Sequence, residues 1–347
     1  MKFAVWNIRG LNDSLKQLEV GRLLSNNKID VFGLVETHVK THKEDGIMSQ
    51  FPNYVVVSNN IQGRVWLFYN PSTVVINKVV LHEQLIHCEA WFKMSNQHIA
   101  ITFVYGYNDP RARVGLWDKL SYISSTMVLA WVVLGDFNVV RRLNERAGPN
   151  PPANQDIIDF NACLANCYLD DIHSMGSEFT WTNKQDVGTR TWARLDRVLV
   201  NPDWLTMFPT SYATSLPPGV SDHSPLVVTV APSIQVPRRF SFLNAWQDHP
   251  DYQSIVNDAW NTSSYGTPMF QLFHKLKQVR FSLQLLHKID FTNISEKVQV
   301  LRGQLEQCQI ALQTDLFSPE LLGEEKNLVQ RQYRSEQEGT GHSFPTC

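Results

Sequence analysis

Trp131-Val132-Val133-Leu134-Gly135-Asp136-Phe137-Asn138 is the stretch on which the reading of this chain turns. Four apolar residues run unbroken into a glycine and an acid, as a buried strand does when it ends at a polar site. If the extended backbone continues, Asp136 and Asn138 lie two apart and face the same way. A carboxylate and an amide then address one water, the acid accepting its proton while the amide orients it. A turn capped by the asparagine uses the same residues, and the stretch alone does not choose between the two.

The design recurs on either side. Val31–Val35 runs into Glu36, Ile99–Val104 runs into Tyr105, and Ser221-Asp222-His223-Ser224-Pro225 leads into the apolar run Leu226–Val230. From residue 3 to about 231, short β-branched runs alternate with polar or glycine-bearing turns. Helical spacing of apolar residues predicts helices at Leu15–Asn26, Ala112–Ser124 and Asp156–Asn166. Strands and helices in alternation imply a layered α/β architecture, and polar groups at the ends of buried strands imply one shared cleft.

The strand-end polar residues are Asn7, Glu36, Tyr105, Asn108, Asp136, Asn138, Asp196, Asp222 and His223. These types suit hydrolysis of a phosphate ester, where a crowded anion must be brought beside a hydroxide and a hard cation on carboxylate oxygens supplies the counter-charge. Glu36 leads the candidate ligands, although an isolated strand-end glutamate is ordinarily a solvated one. Asp196, within Arg194-Leu195-Asp196-Arg197, either orients the His223 imidazole or bridges a flanking arginine. Asn7 and Tyr105 are placed to donate to phosphate oxygens as negative charge builds; a buried tyrosine satisfied elsewhere is the ordinary alternative for Tyr105.

Composition narrows the class. The chain has 347 residues, 43% hydrophobic, enough for one large domain or two small ones. No run approaches the ~18 apolar residues of a membrane helix, and charges follow the amino terminus before any signal-type core. The five cysteines, at 88, 163, 167, 308 and 347, lack disulfide or zinc spacing, with Cys163 and Cys167 read as buried thiols. An intracellular protein of nucleus or cytoplasm is the expectation. A formal charge of −2 does not advertise bulk attraction to nucleic acid, so local groups must hold any polyanion.

The character changes near Pro232. A linker is expected over 232–270, an amphipathic helical extension over 271–335 and a disordered tail over 336–347. Leu272, Leu276, Val279, Leu283 and Leu286, then Ile294, Val298, Leu301, Leu305 and Leu312, form stripes at helical spacing that read as two helices, separate or paired as a hairpin. Packing against each other or against the first domain is the preferred reading, with self-association or a protein partner as the alternative.

Taken in order, Trp6-Asn7-Ile8-Arg9-Gly10-Leu11, Glu36-Thr37-His38, Val104-Tyr105-Gly106, Gly135-Asp136-Phe137-Asn138, Arg194-Leu195-Asp196-Arg197 and Ser221-Asp222-His223 resemble the DNase I-like endonuclease/exonuclease/phosphatase superfamily. Phe179-Thr180-Trp181-Thr182-Asn183 and 194–201 sharpen the resemblance to the endonuclease domain of plant LINE-type (non-LTR) retrotransposon polyproteins, over residues 1 to about 231. The resemblance implies a four-layer α/β sandwich of two packed mixed β-sheets flanked by helices, followed here by a C-terminal helical extension.

It also implies magnesium- or manganese-dependent nicking of DNA. Glu36 and Asp222 would hold or adjoin the metal. Asp136 would activate water, Asn7 and Asn138 would contact phosphate and water, Tyr105 would donate in the transition state, and Asp196 would pair with His223. Asn108, Thr180, Asn183, Arg194 and Ser221 would contact DNA, and Arg141, Arg142, Arg146, Arg190 and Arg194 would add positive charge unless they are simply solvated surface. Arg9 departs from the pattern, standing where apurinic endonuclease relatives carry an acid. No reverse transcriptase follows, so a truncated element-derived reading frame is expected. A phosphatase of the same fold, or a decayed domain that only binds, are the rival readings.

Overall fold

The computed structural model describes residues 1–59, 64–230, 251–262, 268–286 and 292–340. The first half of the fold runs β1 (Lys2–Asn7), α1 (Ser14–Asn27), β2 (Val31–Val35), α2 (Thr41–Met48), β3 (Val55–Ser58), β4 (Val65–Tyr69), β5 (Val74–His82), β6 (Leu85–Phe92) and β7 (Gln97–Tyr105). Then come α3 (Pro110–Ser125), β8 (Trp131–Asp136), β9 (Arg146–Ala147), α4 (Asn154–Asn166), β10 (Asp170–Asp171) and β11 (Ser174–Gly176). The sequence of elements continues with β12 (Trp181–Thr182), β13 (Trp192–Ala193), β14 (Asp196–Val200), α5 (Pro202–Met207), β15 (Tyr212–Ser215) and β16 (Leu226–Thr229).

Two large mixed sheets result, in the orders β11-β15-β16-β1-β2-β4-β3 and β10-β14-β8-β7-β6-β5, with a small sheet β12-β13-β9. Side-chain alternation sorts the layers. From β1, Phe3 and Val5 enter a core shared with Ile101, Phe103, Val132 and Leu134 of the second sheet, while Ala4 and Trp6 face Val20, Leu24 and Ile47 of α1 and α2. Ala100, Val104, Trp131 and Val133 face the other way, onto Leu116, Phe160 and Leu164 of α3 and α4. Helix, sheet, sheet, helix is the four-layer sandwich expected. All residues of β1, β2, β8 and β14 but Lys2 are buried, and both faces of these strands are covered, so they read as continuous apolar runs rather than alternations.

Helix starts are set locally. Asp13 and Asp109 cap α1 and α3 by accepting from Leu15 N and Arg111 N, and Pro110 occupies the first turn where its missing N–H is not needed. The three predicted helices thus fall on α1, α3 and α4 within two residues.

Beyond residue 250 are α6 (Tyr252–Trp260), α7 (Pro268–Leu286), α8 (Thr292–Thr314) and α9 (Pro319–Thr340). The chain divides into two compact units, Met1–Pro232 with Leu305–Val329, and Ser233–Gln304 with Gln330–Cys347. In the second, Leu283 and Leu286 of α7 pack with Tyr252, Ile255 and Val256 of α6. Three points differ from expectation. Among the described residues the extension holds three helices rather than two, because Pro319 starts a new one five residues after Thr314, the end of α8. The supposed linker contains α6, whose apolar residues recur at helical spacing in a segment too short to stand out in the sequence. Residues 336–340, assigned to a tail, continue α9; 341–347 and, of the linker, 232–250 and 263–267 lie outside the described residues. No described helix is long and apolar enough to cross a membrane.

Candidate active site

Strand register assembles the site. In the parallel pair β7·β8, Tyr105 stands opposite Asp136; in the antiparallel pair β8·β14, Asp136 stands opposite Asp196. In the other sheet, Asn7 ends β1 beside Val35, and Glu36 follows directly. Residues far apart in the chain therefore emerge at one edge of the sandwich because their strands stop at the same level.

Gly135 makes the exit of β8 feasible. Its φ is +150°, and a Cβ there would lie 2.0 Å from Val104 O, so no other residue fits so close to β7. Arg9, Glu36 and Asn138 also hold left-handed backbone, at φ of 47°, 53° and 51°. Such conformations cost of the order of 1 kcal/mol each for residues other than glycine, and structures retain them where the surroundings enforce them. Ile8, Gly10 and Leu11 donate their backbone N–H to Val35, Glu36 and Thr37, which fixes the first two turns against each other.

A buried acid–imidazole–acid array lies at the centre. His223 Nδ1 is 2.9 Å from Asp196 Oδ2 and its Nε2 is 3.7 Å from Asp136 Oδ2. Asn7 Nδ2 donates to Asp136 Oδ2 at 2.9 Å, and Asn138 N donates to Asp136 Oδ1 at 2.9 Å. Burial, reinforced by Asp196, drives the Asp136 carboxyl up to about 7, although His223 pulls the other way. Burial works against a charged imidazole, but Asp196 and Asp136 outweigh it and His223 rises to about 9. The array thus retains protons near neutrality, an arrangement able to exchange one between Asp136 and a bound water.

A second group stands at the mouth. Tyr105 OH donates to Glu36 Oε1, and Arg9 Nη1 pairs with Asp222 Oδ2. Burial and the Glu36 hydrogen bond push the Tyr105 phenol upward, so it remains a donor. Burial opposes the Asp222 carboxylate, yet His223 and Arg9 hold it below the usual range.

Supporting contacts were not visible in the sequence. Trp6 Nε1 donates to His223 O at 2.8 Å, and Trp181 Nε1 donates to Asp222 Oδ2 at 3.1 Å. Trp181 also bridges to His223 through the backbone. The signal for each was its place in a motif, Trp181 in 179–183 and Trp6 at the head of 6–11.

Several expected DNA contacts need correction. Thr180 and Ser221 are 3% and 2% exposed. Thr180 Oγ1 accepts from Leu195 N and Asp196 N, while Ser221 Oγ donates to Asn7 O and accepts from His223 N. Both side chains are used inside the protein to hold the array. Asn183 Oδ1 accepts from Gln185 N and Thr191 N and its Nδ2 donates to Thr189 O, so it shapes the β12–β13 hairpin. Arg190, read as surface charge, is 1% exposed and paired with Glu325 at 2.6 Å. Arg141 is engaged by Asp170 and Asp171, and Arg194 lies 3.6 Å from Asp171. Arg146 donates to Asn150 O; Arg142 and Asn108 are exposed. Asn138 lies beyond the end of β8, and its amide donates to Gly106 O at 2.7 Å; the turn, not the continued strand, is what forms here.

A family model described as the endonuclease/exonuclease/phosphatase family matches residues 4–223. The chain belongs to the endonuclease/exonuclease/phosphatase family. Its members are nucleases and phosphatases that depend on divalent metal. Among solved structures of the family's fold, a 3′-5′ exonuclease from Neisseria meningitidis is similar with TM-score 0.53 and 18% identity, over 66% of this chain and 99% of that one. An AP endonuclease from Archaeoglobus fulgidus gives 0.52 and 19%, over 66% and 99%. The endonuclease domain of TRAS1, a telomere-specific non-LTR retrotransposon, gives 0.52 and 14%, over 66% and 97%. No curated protein matches the chain.

The metal such a family requires has two candidate donor sets here. Asp136, Asp196 and His223 offer atoms within 4.8 Å of one another. Both ring nitrogens of His223 already face carboxylates, however, which suits a proton array better than a cation. Glu36 and Asp222 offer hard oxygens at the mouth, and the Arg9 guanidinium lies within electrostatic reach of both. Carboxylate oxygens are the donors a hard divalent cation takes, and at Asp222 the cation would compete with the Arg9 guanidinium for the same charge.

Proposed function

We propose that this protein is a magnesium-dependent endonuclease that nicks DNA, derived from a non-LTR retrotransposon. The single observation that carries the reading is the buried Asp136–His223–Asp196 array, with Asn7 on the Asp136 carboxylate and Tyr105–Glu36 beside it. Glu36 and Asp222 would hold the metal, which when bound would draw the phosphate's negative charge and serve as Lewis acid. Asp136 accepts the proton of the attacking water. Asp196 keeps the His223 imidazole protonated and oriented so that it faces phosphate charge, and Tyr105 and Asn7 donate to the phosphate as charge accumulates. The 5′ side of the break retains the phosphate. The resemblance of the Phe179–Asn183 and 194–201 motifs to plant LINE-type endonucleases supports the choice of DNA over a small phosphomonoester.

The test is conversion of supercoiled plasmid to relaxed circles by the purified chain, with Mg²⁺ or with EDTA, alongside Glu36→Ala and His223→Ala. Nicking that requires metal and both side chains is expected. A folded wild type that leaves plasmid intact but hydrolyses phosphomonoesters would replace this reading with a phosphatase.

A further inference from the structure

The helices that the sequence set apart from the catalytic domain contribute to the same compact unit: residues 305–329, the end of α8 and the start of α9, belong with residues 1–232. Leu305, Cys308, Leu312, Leu322 and Leu328 are buried in this arrangement. Packing alone would make the segment an ornament. Its polar contacts are more particular.

Gln309 Oε1 accepts from Gly219 N at 3.2 Å, and Gln309 Nε2 donates to Glu325 Oε1 at 3.3 Å. Glu325 Oε2 accepts from Arg190 Nη2 at 2.6 Å. The three side chains are each no more than 3% exposed, so a buried polar chain runs from the loop preceding Ser221 to the β12–β13 hairpin. Gln313 closes a second clamp: its Oε1 accepts from Phe179 N at 3.2 Å and its Nε2 donates to Phe179 O at 3.5 Å. Trp192 Nε1 donates to Leu316 O at 2.9 Å, and the Arg190 guanidinium lies 4.9 Å over the Trp192 ring.

The anchor points at Phe179 and Gly219 lie close to the catalytic array along the chain. Phe179 precedes Thr180, whose hydroxyl accepts from the Asp196 amide, and Trp181, whose indole donates to Asp222. Gly219 lies four residues before His223. The hairpin itself has only two-residue strands in a three-stranded sheet, too little to fix its own position. Buried ion pairs and amides are weak sources of net stability, because desolvation offsets them, but they do specify one arrangement over others.

We propose that residues 305–329 are a positioning brace, in which Gln309, Gln313 and Glu325 hold the β12–β13 hairpin and the 216–223 loop so that Trp181, Asp222 and His223 stand in register with Asp136. The catalytic consequence rests on the nuclease reading above; the ordering of the hairpin does not. The functional unit then extends past residue 231, and Leu305 and Leu312 of α8 are buried within it.

The experiment uses the full chain with Glu325→Ala and, as a milder change that removes only the two Phe179 hydrogen bonds, Gln313→Met. Amide hydrogen exchange is followed at 179–193 and 219–224, with β5 and β6 as the internal control, and single-turnover nicking of plasmid is measured for the folded fraction. Exchange at the two stretches should quicken about tenfold or more while β5 and β6 keep the wild-type rate. The nicking rate at saturating protein should fall on the order of 100-fold for Glu325→Ala, with DNA affinity nearly kept, since misplacement of reacting groups by about 1 Å has that effect. Should Glu325→Ala not fold, Gln313→Met carries both readouts. Wild-type exchange at both stretches in the variants overturns the brace, as does an unchanged or raised nicking rate. A wild type that does not nick removes the nuclease reading, while the exchange result still decides the brace.

Discussion

Asp196→Asn removes one charge and leaves the backbone held, because the Asp196 and Leu195 amides donate to Thr180 Oγ1 independently of the side chain. The lost partner sits 2.9 Å from His223 Nδ1. His223 stands at about 9 against an ordinary 6.5, a shift of the order of 3 kcal/mol in favour of the imidazolium. Without Asp196, burial opposes the charge with Asp136 at 3.7 Å and Asp222 left to offset it, so the ring should return to about 6.5. At pH 8 the protonated fraction then falls from roughly nine-tenths to about one-thirtieth; at pH 6 it falls by less than twofold. Single-turnover nicking at saturating metal across pH 6–9 reads this directly. The ratio of wild-type to variant rates should grow from under about twofold at pH 6 to roughly 30-fold at pH 8. A ratio constant over that range would refute the assignment of His223 as a cationic group sustained by Asp196.

Other perturbations have equally definite outcomes. Gly135→Ala would place a Cβ 2.0 Å from Val104 O at a φ of +150°, so chemical denaturation should show a loss of about 3 kcal/mol or more, with nicking lost as Asp136 is displaced. His87 is buried against Thr102 Oγ1 at 2.8 Å, and desolvation lowers it to about 4. The unfolded chain binds its proton near 6.5 while the native state resists until about 4, so the stability conferred by the neutral ring is complete above pH 6.5 and lost as pH falls through that window. His87→Gln should flatten the dependence of urea midpoint on pH between 6.5 and 4, and an unaltered slope would dismiss His87 as its source.

How much of this was legible in the sequence depended on how local each determinant is. Strands such as Val31–Val35 and Trp131–Leu134 announced themselves because both faces are buried and every position is apolar. Helix α3 announced itself through the spacing of Leu116, Leu120 and Ile123. The convergence of Asn7, Glu36, Tyr105, Asp136, Asp196 and His223 on one edge was also legible, since each ends or begins an apolar run. What failed was the distinction between a polar side chain that faces outward and one that is consumed inside. Thr180, Ser221 and Arg190 have the composition of DNA contacts, yet their partners are Asp196 N, Asn7 O and Glu325, up to 214 residues away. Burial of an arginine depends on an acid brought to it by the tertiary fold, and nothing within 185–195 points to residue 325. For the same reason the sequence left open whether the late helices pack against each other or against the first domain.

Asp136→Asn tests the central claim most directly. The asparagine keeps one oxygen, for the Asn138 N–H, but presents its own amide nitrogen where Oδ2 accepted from Asn7, and it has lost the carboxylate that would take a proton from water. Single-turnover nicking with Mg²⁺ at pH 8 should fall by about 100- to 10,000-fold, with DNA affinity and folding little changed. A variant that nicks within about threefold of the wild type would contradict the proposal that Asp136 activates the attacking water.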